Sequence, residues 1–489
     1  MNIEPSPFIF IKKMITSNIK LFKSPYLRCV YGSQSYSYAM VYHTLLGNPR
    51  IFNREGLQFL DFFDKGATLE QVQTMVEGNP EKITEGLVKN YFLVPIELDE
   101  RAILKQKREE HLLMVGRKQT VEHISLSVSN ACNFSCNHCM LLQPHRTNQI
   151  FRKTKMNWEI AKKSIDLYVR IMTEQGTNYG RLHFGNGEPL LNWTVIEKVL
   201  EYCNGMSGFS FDFAINTNLS LLNKEKAEIL KHHKVRIVTS LDGLNEANDT
   251  IRVTKNGEGT FSIITDKMTL LEQIGYPIDT LSVLVTSGNF HLVDTDVIEF
   301  AYNKGITSLS FDFDLTNLLS IPVEERINKI MRLKLYANNH GIYFGGTWFS
   351  PFRSLMSNTM LPKIFASCDA AEGKLLVFDP DGSIKICGYT ATQVGHLDHI
   401  DKLFSESSRF FELLASRLPG ADDYCNECII EGLCNGQCHI TREFIVRNQN
   451  KFLFEDMCNF YRTMTDTLIC DYLESYEDTS LREQKEYYI

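Results

Sequence analysis

Between residues 121 and 320, short apolar runs alternate with longer amphipathic segments. Six runs rich in Val, Ile, Leu and Phe predict strands: Ile124 to Val128, Arg181 to Gly185, Phe209 to Ile215, Val235 to Ser240, Leu281 to Thr286 and Leu309 to Phe313. Helical patterns lie between several of them, so six β/α units around a parallel sheet are predicted. In such a barrel the chemistry belongs at the carboxyl ends of the strands.

The first 100 residues follow a different pattern, with strands first and helices afterwards. We expect strands at Tyr26 to Val30 and Tyr36 to Leu46 with a break at Gly32 and Ser33, then a turn at Gly47 to Pro49. Three helices and a final strand follow: Glu55 to Lys65, Leu69 to Gly78 with the capping box Thr68 and Gln71, Glu81 to Tyr91, and Phe92 to Pro95. This order is typical of a winged helix, which binds DNA or peptides. The helices lack a strong basic face, whereas a short sheet edge can accept a peptide strand; a purely structural cap is the alternative.

The remaining boundaries follow changes in composition. Residues 101–120, rich in Lys, Arg and Glu, predict a solvated helical linker. Residues 121–320 form the barrel, 321–365 a bridging region and 366–470 a cysteine-rich domain. The acidic, aromatic residues 471–489 predict a frayed helix or a disordered end.

Composition narrows the class of protein. The chain has 489 residues, a formal net charge of -8 and 13 cysteines. This charge gives no overall footprint for nucleic acid. No apolar stretch is long enough to span a membrane, and no signal peptide is recognisable, so a cytoplasmic protein without a membrane partner is expected. In that compartment cysteines favour metal ligation over disulfides. We assign no role to the remaining three cysteines, Cys29, Cys203 and Cys470.

Cys132, Cys136 and Cys139, here called the first-loop thiols, follow the first barrel strand. Three thiolates on one tight loop suit an iron-sulfur cluster. A cubane cluster needs four ligands, so this loop would leave one iron open to a small molecule. A zinc knuckle completed by His138 is the alternative.

The Cys-x3-Cys-x2-Cys spacing resembles that of radical S-adenosylmethionine (SAM) enzymes. The resemblance implies that the open iron binds the amino and carboxylate groups of SAM. After the second strand, Gly185 to Leu191 resembles the Gly-Gly-Glu-Pro motif of that family, with Gly187, Glu188 and Pro189 matching and Asn186 in place of the first glycine. The glycines would let backbone approach the ligand, and the Glu188 carboxylate with local carbonyls would hold the SAM ammonium group.

Three further positions match the family at later strand ends. Asn218 closes a stretch similar to Thr-Asn-Gly, with polar side chains suited to a ribose. Ser240 and Arg252 belong to a run similar to the peptide-modifying and protein-modifying branch. By that resemblance they would hold the ribose or the carboxylate of SAM. The alternative interpretation of Ser240 and Arg252 is a capped start of a helix with a surface ion pair.

Seven cysteines near the C-terminus occur in the order of the SPASM extension, which accompanies radical SAM maturases of peptides and proteins. The turn Asp379 to Gly382 predicts a hairpin that brings Cys368 and Cys387 together. The resemblance implies two auxiliary 4Fe-4S clusters. One would be held by the four-thiol set, Cys425, Cys428, Cys434 and Cys458, and the other by the three-thiol set, Cys368, Cys387 and Cys438. The fourth ligand of the latter is open between Asp369, water and substrate, and structural zinc is the alternative for the region.

The expected architecture is therefore α/β: a partial (β/α)6 radical SAM barrel, an N-terminal winged-helix-like peptide-recognition domain and a C-terminal SPASM domain. The resemblance implies a 4Fe-4S cluster that cleaves SAM to a 5'-deoxyadenosyl radical, with an external one-electron reductant such as flavodoxin or ferredoxin. The expected substrate is a ribosomally made precursor peptide whose leader binds the N-terminal domain. The expected product carries an intrapeptide crosslink, either carbon-carbon or thioether.

Other functions remain open at this point. A formylglycine-generating anaerobic sulfatase maturase shares the barrel and the SPASM region, but it places an acidic residue where this chain has Gly388. Peptide epimerisation and a non-catalytic iron-sulfur redox sensor are further alternatives. No catalytic acid or base is assigned, since strand alternation alone cannot orient the candidates, which are His183, Asp212, Asp312 and Asp314.

Overall fold

The computed structural model describes residues 19–32, 37–74, 79–142, 153–357, 368–390, 392–434 and 438–483. Several predicted features lie wholly or partly outside these residues: the start of the N-terminal domain, the break at Ser33, the end of its second helix at 75–78, residues 358–367 next to the cysteine-rich domain, and the chain end at 484–489.

The N-terminal domain combines two small antiparallel sheets with three helices. In chain order it contains β1 Leu21–Lys23, β2 Leu27–Tyr31, β3 Tyr38–His43, β4 Gly47–Asn53, α1 Arg54–Asp61, α2 Leu69–Gln73, α3 Pro80–Lys89 and β5 Leu93–Pro95. Strands β2, β3 and β4 form one sheet, and β1 pairs with β5. The three helices and the final strand lie where the sequence predicts them.

The predicted turn at Gly47 to Pro49 is wrong, because these residues begin β4. Gly47 and Asn48 have the positive φ angles of turn residues, 78° and 54°. His43 nevertheless pairs with Gly47 across an irregularity in the register. The turn-forming residues Gly47 and Asn48 therefore belong to a bulge at the start of β4.

The central strand of the three-stranded sheet, β3, is buried on both faces. Met40 and Tyr42 of β3 belong to the core that the N-terminal domain shares with the barrel and the C-terminal region. Val41, between them, packs with Phe52 and Phe59 in a core local to the domain. Since successive side chains of a strand point to opposite faces, this sheet is an inner layer between two cores.

Helix α4, Glu100–Gly116, follows at the position of the predicted linker. The prediction that this helix is solvated is wrong for one of its faces, since Leu104, Leu112 and Val115 are at most 9% exposed. Glu100, also buried, accepts from the Ser24 hydroxyl at 2.5 Å and lies 2.8 Å from His43 Nε2. The helix is thus amphipathic and fixed to the N-terminal domain.

Six parallel strands form the centre of a ten-stranded sheet, all at predicted positions. They are β6 His123–Leu126, β7 Tyr179–Phe184, β8 Ser210–Asn216, β9 Arg236–Ser240, β10 Thr280–Val285 and β11 Ser308–Phe313. In β10 and β11, Leu281, Val283, Leu309 and Phe311 are at most 1% exposed, whereas the intervening serines are half-buried. One face of the sheet is therefore apolar and the other polar.

Helices connect these strands, as expected for parallel neighbours. They are α5 Trp158–Glu174, α6 Trp193–Asn204, α7 Lys224–His232, α8 Asn245–Asp249, α9 Phe261–Gln273 and α10 Asp296–Asn303. Because a parallel barrel packs its apolar face on such helices, the polar face lines its interior.

The bridging region lengthens the sheet. It contains α11 Val323–Asn339, β12 Tyr343–Gly345 and α12 Ser350–Ser357, and β12 pairs in parallel with β11. Sequence periodicity did not predict β12, since three residues are too few to show alternation.

The cysteine-rich region extends the opposite edge of the sheet. Its elements are β13 Leu375–Phe378, β14 Ser383–Lys385, β15 Gly395–His396, α13 Arg409–Ala415, α14 Glu431–Cys434, α15 His439–Asn448 and α16 Lys451–Glu483. Strand β13 runs parallel to β6, and β14 returns antiparallel to β13 through the predicted hairpin.

Of the two predicted alternatives for the chain end, a terminal helix or a disordered end, the described residues show a helix, because α16 continues as far as Glu483. Within the described parts of the chain, no helix has both the length and the apolarity needed to span a membrane.

Candidate functional site

The segment carrying the first-loop thiols follows β6 and lies at the carboxyl end of the sheet. The backbone N–H groups of Ser135 and Asn137 donate to the carbonyls of Val253 and Ile251, each at 2.8 Å. These bonds attach the loop on both sides of Arg252. Two parts of the predicted site, distant in sequence, are therefore adjacent.

The first-loop thiols share one electrostatic environment. The pKa of Cys132 is raised to about 12, mainly by burial and also by the negative charges of Glu188 and of the two other thiols. The Phe134 N–H lies 3.4 Å from its sulfur. An isolated thiolate is unfavourable here, whereas a bound metal deprotonates its thiol ligands outright. The site therefore fits an iron-sulfur cluster chemically.

Glu188 ties the ends of β7 and β8 together. Its carboxylate is fully buried. It accepts from Thr217 Oγ1 at 2.7 Å, from the Leu190 N–H at 2.9 Å and from the Asn218 N–H at 2.8 Å. Burial raises its pKa, while these three bonds lower it. In this arrangement Glu188 fixes the backbone of the motif.

Gly187 and Pro189 flank that carboxylate, and each shapes the chain. Gly187 has φ 47°, and a Cβ built on it would lie 2.4 Å from the carbonyl oxygen of Ala131. A glycine is required for this approach to the first loop. Pro189 begins a short 3-10 turn that Glu188 caps.

Asn186 occupies the position at which the family motif has glycine. Its φ is 62°, a left-handed value that asparagine tolerates better than most residues. Its amide donates to Ser127 Oγ at 2.8 Å and to the Gly388 carbonyl at 3.0 Å. The SAM-type motif therefore contacts the residue directly after Cys387.

Asn218 and Ser240 both lie at the carboxyl end of the sheet. The Asn218 amide donates to Asn133 Oδ1 at 3.0 Å and approaches the Cys132 sulfur at 3.8 Å. Ser240, the last residue of β9, is in register with Ser282 of β10. Polar groups from β8, β9 and β10 are thus brought to one end of the barrel.

Arg252 forms an ion pair with Asp242, at 2.5 Å between Nε and Oδ2 and 3.1 Å between Nη2 and Oδ1. The alternative of a surface pair is wrong, because the Asp242 side chain is fully buried and that of Arg252 is 13% exposed. Burial lowers the pKa of Arg252, but Asp242 and Cys136 raise it above its ordinary value. The guanidinium keeps its charge beside the first-loop thiols.

The three-thiol set comes together at the start of the cysteine-rich region. Burial raises the pKa of Cys387 to about 12, and Cys438 and Cys368 contribute as charged neighbours. Asp369, a candidate fourth ligand, lies close enough to raise the pKa of Cys368. It also lies 3.6 Å from His123 Nε2.

The four-thiol set is a separate group. Burial raises the pKa of Cys425 to about 12, with contributions from Cys434, Cys428 and Cys458. In the described parts of the chain, no three Cys, His, Asp or Glu side chains form a group that could hold a single metal ion. A cubane cluster, with one thiolate on each iron, spaces its ligands more widely than one ion does.

The N-terminal domain contacts the segment between Cys428 and Cys434. The Tyr42 hydroxyl donates to the Ile429 carbonyl at 3.1 Å. Arg101 binds the buried Glu431 carboxylate through two bonds, of 2.9 and 3.0 Å. A Cβ built on Gly432 would lie 2.0 Å from the backbone oxygen of Leu45. The domain is therefore packed directly against the four-thiol set.

Tyr389 is a site residue that the sequence did not indicate. Burial raises its pKa to about 12, and Cys387, Cys139 and Arg252 are its charged neighbours. It nevertheless exposes 44% of its surface. Tyr389 therefore lies near Cys139 of the first-loop thiols and Cys387 of the three-thiol set, with part of its side chain accessible.

The chain resembles known proteins in sequence. Residues 126–301 match the Radical SAM superfamily. The match begins at the end of β6 and ends within α10, so it includes the first-loop thiols, Glu188 and Arg252.

Two relatives extend beyond that segment. The radical SAM cyclopropyl synthase TigE of Paramaledivibacter caminithermalis is 25% identical over 384 residues, which are 75% of this chain and 78% of the relative. A cysteine-type anaerobic sulfatase-maturating enzyme of Clostridium novyi is 21% identical over 382 residues, 72% of this chain and 93% of the relative.

A solved structure has a similar fold. It is described as native anSMEcpe with bound AdoMet and Cp18Cys peptide, and it aligns with a TM-score of 0.52 and 18% identity. The alignment covers 71% of this chain and 99% of that chain. The likeness is one of α/β fold, with the parallel sheet at its centre.

Proposed function

The chain carries a radical SAM domain, and we propose that it is a peptide maturase: it abstracts hydrogen from a ribosomally made precursor peptide and forms an intrapeptide crosslink. The observation that carries the proposal is the position of Tyr389. This side chain is partly accessible and lies near Cys139 of the first-loop thiols and near Cys387 of the three-thiol set. A substrate held there would lie between a site of radical generation and a site of electron acceptance.

The residues at the barrel end fit a cluster and SAM. The first-loop thiols would hold three irons of a 4Fe-4S cluster. Arg252 would pair with the SAM carboxylate through its remaining donors, Asn218 and Ser240 would face the ribose, and Gly187, Glu188 and Pro189 would form the backbone wall near the ammonium group. When bound and reduced, the cluster supplies the electron that cleaves SAM and so generates the abstracting radical.

The two C-terminal thiol sets fit two auxiliary 4Fe-4S clusters. Forming a bond between two substrate positions removes two hydrogen atoms. Abstraction takes one, and the other leaves as a proton and an electron. Auxiliary clusters would accept that electron, and a small redox protein such as flavodoxin or ferredoxin would supply the first one.

A peptide substrate is supported by the relatives. TigE is named a cyclopropyl synthase, and the anSMEcpe structure contains a bound peptide. The N-terminal domain would bind the precursor's leader, since short antiparallel sheets can accept a peptide strand.

Sulfatase maturation is the second candidate, supported by the relative from Clostridium novyi. One contact counts against it. A Cβ built on Gly388 would lie 2.2 Å from Asn186 Oδ1, so the acidic residue that such enzymes place here would require Asn186 to move.

The first test is whether the anaerobically purified protein, reduced with dithionite, releases 5'-deoxyadenosine from SAM. Release supports the radical SAM activity, and its absence from iron-replete protein would favour a redox sensor. The second test offers the protein a pool of synthetic linear peptides of varied sequence and follows loss of two hydrogen atoms by mass spectrometry. Conversion of a sulfatase-type cysteine or serine peptide to formylglycine, without crosslinked products, would favour the second candidate.

A further inference from the structure

The sequence offers four candidates for proton transfer in or beside the strands, His183, Asp212, Asp312 and Asp314, and the structure separates them. Asp212 accepts from the Tyr179 hydroxyl at 2.5 Å, near the amino ends of β7 and β8. Asp314 accepts from Thr316 Oγ1 at 2.6 Å within a short 3-10 turn. Asp212 thus lies at the end of the sheet opposite the proposed SAM site, and Asp314 is bound within its own turn.

His183 and Asp312 remain. The His183 ring lies 3.1 Å from Ser125 Oγ. Its pKa is lowered to about 4, mainly by burial and also by the positive charges of His123 and Arg236. A ring that binds protons so weakly is a poor acceptor at neutral pH.

Asp312 faces the barrel interior near the carboxyl end of β11. Its neighbours Phe311 and Phe313 are 0% and 9% exposed and occupy the opposite, apolar face. The Thr347 N–H and hydroxyl donate to Asp312 Oδ1 at 2.6 and 2.7 Å. Burial raises the pKa of Asp312, while the bonds from Thr347 and Ser310 lower it. The carboxylate is held in one orientation by donors on one oxygen.

Register places Asp312 at the level of the proposed SAM site. Asp312 is paired with Leu284 of β10, and the Leu284 N–H donates to Asp242 Oδ1 at 2.8 Å. Asp242 in turn holds Arg252. Adjacent strands lie ~4.8 Å apart, so two strand spacings, across the single intervening strand β10, separate Asp312 from this ion pair by about 10 Å.

On its other side, Asp312 approaches the C-terminal thiols. Thr347, which holds Asp312, also bonds to the Tyr461 hydroxyl of α16. Burial raises the pKa of Tyr461, and the negative neighbours that add to this are Cys434, Cys438 and Asp312 itself. Tyr461 therefore lies near both Asp312 and one member of each C-terminal thiol set.

We propose that Asp312 contacts the substrate and accepts the proton that it loses during bond formation. The inference rests on the proposed function. In the step, the abstracting radical removes one hydrogen atom from a C–H bond, and the resulting carbon radical bonds to a second position. The proton of that second position passes to Asp312, and its electron would pass to an auxiliary iron-sulfur cluster held by a C-terminal thiol set. Atoms and electrons balance, with the auxiliary cluster as the oxidant.

The test compares the wild-type holoprotein with Asp312→Asn and Asp314→Asn. Asparagine at 312 can still accept from Thr347 but cannot take a proton, so folding is preserved. Each protein receives SAM, dithionite and the same pool of synthetic linear peptides. Iron content, 5'-deoxyadenosine and crosslinked peptide are measured in each.

We expect Asp312→Asn to keep its iron and to release 5'-deoxyadenosine within about twofold of wild type. Its crosslinked product should fall by about 100-fold or more, the usual contribution of a proton-transfer group. Asp314→Asn should retain both. Undiminished crosslinking by Asp312→Asn would overturn the assignment while leaving the proposed function intact. If wild type itself cleaves SAM but converts no peptide, the proposed function fails, and the role of Asp312 with it.

Discussion

The side-chain amide of Asn186 donates a 3.0 Å hydrogen bond to the backbone carbonyl of Gly388. One residue belongs to the motif after β7, and the other directly follows Cys387 of the three-thiol set. The contact therefore joins the proposed SAM site to the proposed auxiliary cluster without an intervening side chain.

This contact predicts how Gly388→Ala behaves. The added Cβ would meet Asn186 Oδ1 at 2.2 Å, so either the asparagine or the loop must move, at about 1–3 kcal/mol. We expect SAM cleavage to persist and crosslinked product per SAM cleaved to fall several-fold. The double variant Asn186→Gly with Gly388→Ala removes the clash and should recover part of the coupling. No difference between single and double variants would show that the clash is irrelevant.

The contact of Arg101 with Glu431 predicts that the N-terminal domain supports the four-thiol set. Arg101→Ala leaves a fully buried carboxylate without its partner, which costs about 3 kcal/mol. We expect the purified variant to lose about four irons per chain, the content of one cubane cluster.

The matched control is Arg50→Ala, because Arg50 bonds to Asn90 inside the same domain, at 3.0 Å. It should keep all its iron. The double variant Arg101→Ala with Glu431→Gln removes the unpaired charge and should regain iron. Full iron content in Arg101→Ala alone would contradict the supporting role.

The three groups of thiols predict distinct losses. Cys132→Ala should abolish 5'-deoxyadenosine release, since the proposed cluster that reduces SAM loses a ligand. Cys434→Ala should retain some release but lose the crosslinked product. Iron analysis should give about twelve per chain in wild type and about eight when the first-loop thiols are all alanine. Full product formation by Cys434→Ala would contradict an auxiliary electron-accepting role.

The low pKa of His183, about 4, predicts an acid-sensitive fold. Below pH 6.5 the unfolded chain binds a proton at this position and the folded chain does not. Its contribution to stability is therefore complete above pH 6.5 and declines as the pH falls towards 4. At pH 5 the loss is about 2 kcal/mol.

His183→Gln should remove this part of the pH dependence. The measurement is the thermal midpoint of wild type and variant at pH 7.5 and pH 5. The variant should be the less affected by acid, even where its packing is weaker at pH 7.5. Equal acid shifts in both proteins would show that another group is responsible.

The barrel was predictable because its strands repeat a simple pattern of burial. Leu281 and Leu309 are buried, and the serines that follow them are not, so period-two alternation located β10 and β11. The short β12 shows no period of its own and is defined by its pairing with β11. The start of β4 carries turn residues, Gly47 and Asn48, and was misassigned for that reason.

The site was predictable where one motif supplies several residues together, as around Glu188. It was not predictable where distant segments meet. Asn186 and Gly388 were each recognised as departures from a family pattern, but only the structure shows that they face each other. Asp312 likewise could be distinguished from Asp314 only from the strand register and from the hydrogen bonds that Thr347 donates.

Strand β3 sends Val41 into the domain's own core and Tyr42 into the core shared with the barrel. A chimera that grafts this domain onto another catalytic scaffold would expose one full face of its sheet. Conversely, a foreign recognition domain grafted onto this barrel would leave the Ile429 carbonyl and the Glu431 carboxylate without their donors. The domain therefore cannot be transferred alone. A chimera that keeps its specificity must also include the segment that carries the four-thiol set.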